Sequence, residues 1–144
     1  MKLSGSYEFD ATPEKVWGIL TNPDSLSSCI PGCEKMEALG NNEYAATVTI
    51  AMGPIRSKFD AKVKMRDLKP YESYGLSIEG NGPSGFVRGE SKVKLIENGG
   101  KTTVKVESES SSGGLLARVG QRMIESFART MMDRFFTCLQ KSVR

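Results

Sequence analysis

Histidine is absent from the chain. No side chain therefore titrates near neutral pH without a shifted environment. Ser-His-Asp and Cys-His catalysis within the chain and histidine-containing metal sites are excluded. Carboxylate, lysine or tyrosine chemistry stays open. Cysteine is scarce: Cys29, Cys33 and Cys138 make an odd count, which in a chain without a secretion signal does not suggest a disulfide framework. Cys29-Ile30-Pro31-Gly32-Cys33 could offer two metal ligands, but nothing nearby supplies a third and fourth, so no metal site is expected. The plainer reading is two small side chains around a Pro-Gly turn. Long apolar runs are also missing: none approaches the roughly 18 residues of a membrane-spanning helix. The opening Met1-Lys2-Leu3-Ser4-Gly5-Ser6-Tyr7 lacks the apolar core of a signal peptide, so a cytoplasmic location is expected. Nor is there a strong charge of either sign, the formal net charge being +3.

What is present is alternation. Leu3, Gly5, Tyr7 and Phe9 alternate with polar residues as a first strand. Thr12 is placed to cap a short helix with Pro13 in its first turn and Val16, Trp17 and Leu20 on its apolar face. Asn22-Pro23-Asp24 breaks it, and Asp24 to Cys29 allows another turn or two before Pro31-Gly32. Period two then takes over. Cys33 to Leu39 reads as a short strand, and Tyr44, Ala46, Val48 and Ile50 as the inward face of the next. Phe59, Ala61, Val63 and Met65 alternate with charged residues, the pattern of an antiparallel strand with one wet face. Tyr74, Leu76 and Ile78, then Val87, Ser91, Val93 and Leu95, then Thr102, Val104 and Val106 mark three more strands. Ser110 to Gly114 reads as a flexible joint into a terminal helix from Leu115 to about Ser142. Leu116, Val119, Met123, Phe127, Met131, Phe135 and Cys138 recur along that segment with the spacing of one helix face.

One domain, 1–144, is expected, of the α+β class. Sequential, turn-connected strands form a meander, and about seven of them make a curved antiparallel sheet wrapped around the long C-terminal helix. Two short helices follow the first strand. That is a helix-grip fold. The order of elements resembles the START/Bet v 1-like (SRPBCC) superfamily. More narrowly, Met1 to Gly5, Pro13 to Trp17, Cys29 to Glu34, Gly53-Pro54-Ile55, Gly85 to Gly89 and Gly113-Gly114-Leu115 resemble the CoxG family of carbon monoxide dehydrogenase proteins. The resemblance implies an accessory protein without catalytic residues, associated with a molybdenum hydroxylase of the CO dehydrogenase type. It implies an apolar ligand, a quinone such as menaquinone or a lipid, held without a covalent cofactor. Longer relatives have a C-terminal tail that associates with membranes. The sequence ends at Arg144, directly after the expected helix, so at most a peripheral, transient contact with the inner face of the membrane is implied.

Within that frame, Tyr44, Val48, Phe59, Val63, Met65, Leu76, Ile78 and Val87 from the strands, with Leu116, Val119, Gly120, Met123, Phe127 and Met131 from the helix, are expected around a ligand cavity. The small inward residues Gly5, Ala46, Ala61 and Ser91 leave room for it. The same residues could instead fill an ordinary core. Three glycine-, proline- or serine-rich turns share one end of a meander, so Met52, Ile55 and Phe86 are expected at the rim of a portal. Ordinary turn chemistry would demand the same residues. Arg118, Arg122 and Arg129 fall on one outer helix stripe that could touch a membrane or a partner, or simply face solvent in pairs such as Glu125–Arg129 and Arg129–Asp133. Nucleic acid is not expected, because the aromatic residues lie on inward faces where they cannot stack on bases. Tyr7, Tyr44 and Tyr74 are the main polar groups available to a ligand or to catalysis. Two alternatives remain: a cyclase-like or hydrolytic enzyme on the same fold, and an assembly factor that acts only by docking.

Overall fold

The computed structural model describes residues 1–143. Strand β1 (Lys2–Phe9) leads into α1 (Pro13–Leu20) and α2 (Pro23–Cys29). Six strands follow: β2 (Cys33–Gly40), β3 (Glu43–Met52), β4 (Ile55–Lys69), β5 (Ser73–Gly82), β6 (Gly85–Asn98) and β7 (Lys101–Gly113). A 3-10 segment, Gly114–Val119, precedes α3 (Gln121–Ser142). All seven strands belong to one antiparallel sheet in the order β1-β7-β6-β5-β4-β3-β2. The first strand thus returns beside the last, and α3 lies on the inner face. This is the expected helix grip of the α+β class.

The alternating pattern places the strands well, but four local expectations change. Ser110 to Ser112 do not form a flexible joint: they pair with Gly89, Arg88 and Val87 as the end of β7. The terminal helix is not continuous. Gly120 adopts φ +98°, which an L-residue with a side chain avoids, and there the 3-10 segment ends and α3 begins. Thr12 occupies the cap position of α1, yet its side chain makes no cap bond; the capping side chain is Asn22, which accepts from the Asp24 amide at 2.8 Å at the start of α2. Finally, Cys29 on α2 and Cys138 on α3 form a disulfide across 109 positions, leaving Cys33 as the free thiol. The odd cysteine count conceals a pairing that only the fold brings together.

Two apolar clusters grip α3. The larger surrounds its C-terminal half, where Phe136 and Leu139 pack with Phe9, Val16, Leu20, Val93, Val104 and Val106. The smaller sits at the other end, where buried Met52, Phe59 and Leu116 gather Ile50, Ile55, Val87, Val119, Ile124 and Phe127. Polar side chains on one edge of α3 tie it to β1. Tyr7 donates to Asp133 Oδ1 (2.7 Å), Arg129 donates to the Ser4 carbonyl (2.6 Å), and Gln140 donates to the Glu8 carbonyl (2.8 Å). The Tyr7 ring also stacks on Phe136, with centroids 4.4 Å apart. Burial, reinforced by the Asp133 carboxylate, pushes the Tyr7 phenol well above its ordinary pKa, so it stays a neutral donor.

Candidate functional site: an apolar cavity under the terminal helix

Between the two clusters the sheet runs short of side-chain volume. In register across β3, β4 and β5 stand Ala46, Ala61 and Gly80. The row through Leu76 continues into Ser91, Ser108 and Leu3, and the row through Ile78 into Gly89 and Ser110. A β-carbon added at Gly80 would meet nothing within 4 Å. Since α3 is held off the sheet by bulky residues at both ends, these small middle rows cannot reach it. A cavity of about 310 Å³ results.

Its floor is Ala46, Val48, Ala61, Val63, Met65, Leu76, Ile78, Ser91 and Ser108. Met131, Met132, Phe135 and Phe136 of α3 form the roof. Leu20, Leu26, Ile30 and Pro31 of the α1–α2 segment close one side together with Met36, Tyr44, Tyr74, Val93 and Val106. Among the described residues, no carboxylate, lysine or arginine lines it. The polar groups on the wall are hydroxyls. Ser91 and Ser108 share one hydrogen bond of 2.8 Å, which uses one of their two protons and leaves the other to donate elsewhere. Burial alone pushes the Tyr74 phenol well above its ordinary value, so it too is neutral. The disulfide fastens the α2 wall to the α3 roof, one residue before Ile30 and three after Phe135. Such a space can enclose an apolar molecule and offer a hydrogen bond; it holds no group poised to exchange protons near neutral pH.

Of the residues expected around a ligand, Tyr44, Val48, Val63, Met65, Leu76, Ile78 and Met131 lie on this wall. Phe59, Val87, Leu116, Val119 and Phe127 do not: they pack in the smaller cluster that bounds the space. Met123 is 39% exposed and Gly120 is the helix break. The break at Gly120 takes Leu116 and Val119 off the helical face, while Met123 and Phe127 belong to the first turns of α3, which lie over the smaller cluster rather than over the cavity. Adjacent pairs Met131–Met132 and Phe135–Phe136 both reach the cavity, because a helix seated on a concave sheet presents a broad face. Ile30 and Pro31 are wall residues that strand alternation does not reveal; their only signal is the spacing Leu26, Cys29, Ile30 beside a proline. Tyr7 stands apart, committed to Asp133.

The three glycine-rich turns do meet at one end, but they are closed. Met52 is buried rather than at a rim, and Ile55 and Phe86 are half-buried. The Leu116 amide donates to the Ser84 carbonyl (2.8 Å), and a β-carbon on Gly85 would strike the Gly113 carbonyl and one on Gly114 the Gly85 backbone. The arginine stripe is likewise divided. Arg118 lies on the 3-10 segment, Arg122 in the first turn of α3, and Arg129 is bound to β1. The pairs Glu125–Arg129 and Arg129–Asp133 are replaced by those contacts to β1. Arg144, at the end of the basic terminal segment, lies outside the described residues.

No curated protein matches the chain. Among solved structures, a conserved protein from Geobacillus kaustophilus is 34% identical with a TM-score of 0.95, over 99% of this chain and 95% of that one. The ZhuI aromatase/cyclase from Streptomyces sp. R1128 superposes with a TM-score of 0.75 at 11% identity, over 99% and 93% of the two chains. A START superfamily protein from Mycobacterium smegmatis gives 0.74 at 13%, over 99% and 96%. These last two establish the fold alone. The carbon monoxide dehydrogenase CoxG family matches residues 5–144, nearly the whole length. The chain belongs to that CoxG family, and it shares the helix-grip fold of the START superfamily protein.

Proposed function

We propose that the protein is a non-catalytic carrier that holds a quinone- or lipid-like molecule in this cavity. It would serve a molybdenum hydroxylase of the CO dehydrogenase type, delivering quinone in transient contact with the membrane. Family membership links the chain to carbon monoxide dehydrogenase. The observation that carries the reading is the wall itself: among the described residues, apolar side chains with four hydroxyl-bearing residues and no charge. Acid–base catalysis needs a placed titrating group, whereas retention of an apolar guest needs dry surface and few polar contacts. At about 310 Å³ the cavity lies at the small end of ligand sites, which run from about 300 to 1,000 Å³. It suits a fused ring or a short length of acyl chain. A polyprenyl tail would have to leave it, and menaquinone would enter ring first.

Solvent extraction of the purified protein followed by mass spectrometry tests the reading. A bound quinone or lipid is expected. Finding neither, and no uptake of added menaquinone, would sink it. A quinone is separated from a lipid by the serine pair. Replacing both hydroxyls (Ser91→Ala with Ser108→Ala) removes the spare donor, so menaquinone binds about three- to tenfold more weakly, as expected for one hydrogen bond of about 1 kcal/mol. Affinity for a carbonyl-free hydrocarbon is unchanged. Titration of tryptophan fluorescence with each ligand reads the difference, and an equal effect on both argues for a lipid.

A further inference from the structure

The end of the molecule closed by the three turns has a charge pattern unlike the rest. Residues 51–58, 80–88 and 110–124 contain Arg56, Lys58, Arg88, Arg118 and Arg122 and no carboxylate. With 20 cations and 17 carboxylates in all, the remaining chain has fifteen cations against seventeen carboxylates. The positive balance of the protein therefore resides here. The three segments are physically one surface. Met52, Phe59 and Leu116 share a buried cluster, the Leu116 amide reaches the Ser84 carbonyl, and Met123 lies against Gly53. Among the described residues, Arg56, Arg118 and Arg122 form no ion pair. The other two cations at this end are matched, Lys58 by Glu34 and Arg88 by Glu79, as are cations on the outer sheet face such as Lys64 by Glu43, Arg66 by Glu90 and Lys101 by Glu8.

The same surface exposes apolar side chains. Leu115 is 52% exposed and Met123 is 39% exposed. Pro54 and Pro83 are exposed beside them. Projecting apolar groups beside Arg56, Arg118 and Arg122, which form no ion pair among the described residues, match the chemistry of an anionic bilayer surface. We propose that this end docks on anionic lipid, with Leu115 and Met123 entering the boundary between headgroups and acyl chains and Arg56, Arg118 and Arg122 lying against phosphates. The inference rests on the membrane part of the proposed function and names its surface. It places in the interface the 3-10 segment that seals this end of the fold, and Gly114 (φ +75°) and Gly120 (φ +98°) bracket that segment. Arg129, bound to the Ser4 carbonyl, takes no part.

Sedimentation with vesicles tests it. The full chain is expected to bind vesicles of equal parts phosphatidylcholine and phosphatidylglycerol, to release in high salt, and to ignore pure phosphatidylcholine. The double variant Arg118→Gln/Arg122→Gln binds about thirtyfold more weakly, as does Leu115→Ser/Met123→Ser to a lesser degree. Lys92→Gln/Lys105→Gln removes the same charge from the outer sheet face and stays within about twofold of wild type, because attraction to the membrane falls off within a Debye length. Equal loss in the two charge variants overturns the proposal, as does binding that pure phosphatidylcholine supports equally. Menaquinone uptake without any sedimentation overturns the docking surface and leaves the carrier standing; sedimentation without uptake does the reverse.

Discussion

Reducing the Cys29–Cys138 bridge lowers the melting temperature by roughly 10–20 °C. The bridge closes a loop of 109 positions, and on a chain-entropy account a loop of that length stabilises the fold by about 4–5 kcal/mol. For a domain of this size each kcal/mol is worth roughly 2–5 °C. The geometry adds to the expectation. The bond joins the two cavity walls that lie outside the sheet, α2 and α3, and its neighbours Ile30 and Phe135 line the cavity. Thermal unfolding followed by circular dichroism, with and without a dithiol reductant, measures the effect. Cys138→Ser should unfold at the temperature of the reduced wild type and ignore the reductant. Cys33→Ser should behave as the wild type in both buffers, since Cys33 is the free thiol. Identical melting of oxidised and reduced wild type would mean that the bridge contributes nothing.

Filling the cavity from its floor abolishes ligand uptake while the fold stands. Ala46 and Ala61 face each other across β3 and β4, and both line the space. Ala46→Leu together with Ala61→Phe directs two bulky side chains into about 310 Å³ that no protein atom occupies. In a close-packed core such an exchange costs about 1–3 kcal/mol through strain; into a void the added apolar contact offsets much of that, and cavity-filling changes commonly stabilise by about 0.5–2 kcal/mol. Melting temperature is therefore held or raised. Affinity for menaquinone falls by about a hundredfold or more, equivalent to about 2.7 kcal/mol. Opposite movement of the two readouts is the signature, because an unfolded variant loses both. Uptake at wild-type strength by a folded double variant would place the ligand elsewhere.

The sheet is legible in the sequence because its chemistry is local. Phe59, Ala61, Val63 and Met65 alternate with Lys58, Asp60, Lys62 and Lys64, and a period of two leaves little freedom in which face turns inward. The room beneath α3 is legible in part for the same reason: Ala46, Ala61 and Ser91 announce small inward side chains. What stays hidden depends on contacts between distant segments. The spacing Leu116, Val119, Met123 fits one helix as well as it fits a 3-10 segment that ends at a glycine. The choice follows from the bond between Leu116 and Ser84 and the close approach of Gly85 to Gly114. The expected stripe is thereby divided, Leu116, Val119 and Phe127 in the smaller cluster and Met131 and Phe135 over the cavity. The disulfide depends wholly on the docking of α3 against α2. Arg129 reads as a surface charge because nothing in its own segment reveals that β1 lies within reach.

The position of β1 also governs the order in which this chain can fold. Strands β2 to β7 pair with their sequence neighbours through short turns, so each hairpin can form soon after it is made. β1 pairs only with β7, Lys2 opposite Glu109 and Phe9 opposite Thr102. During synthesis it emerges before the other six strands of the sheet, yet its partner is the last of them made. Until then β1 is an unpaired strand with an apolar alternate face, and α1 has no completed core against which to pack. Closing so long a loop makes a slow step, and the helix that roofs the cavity emerges later still. The interior is therefore the final part of the structure to be enclosed.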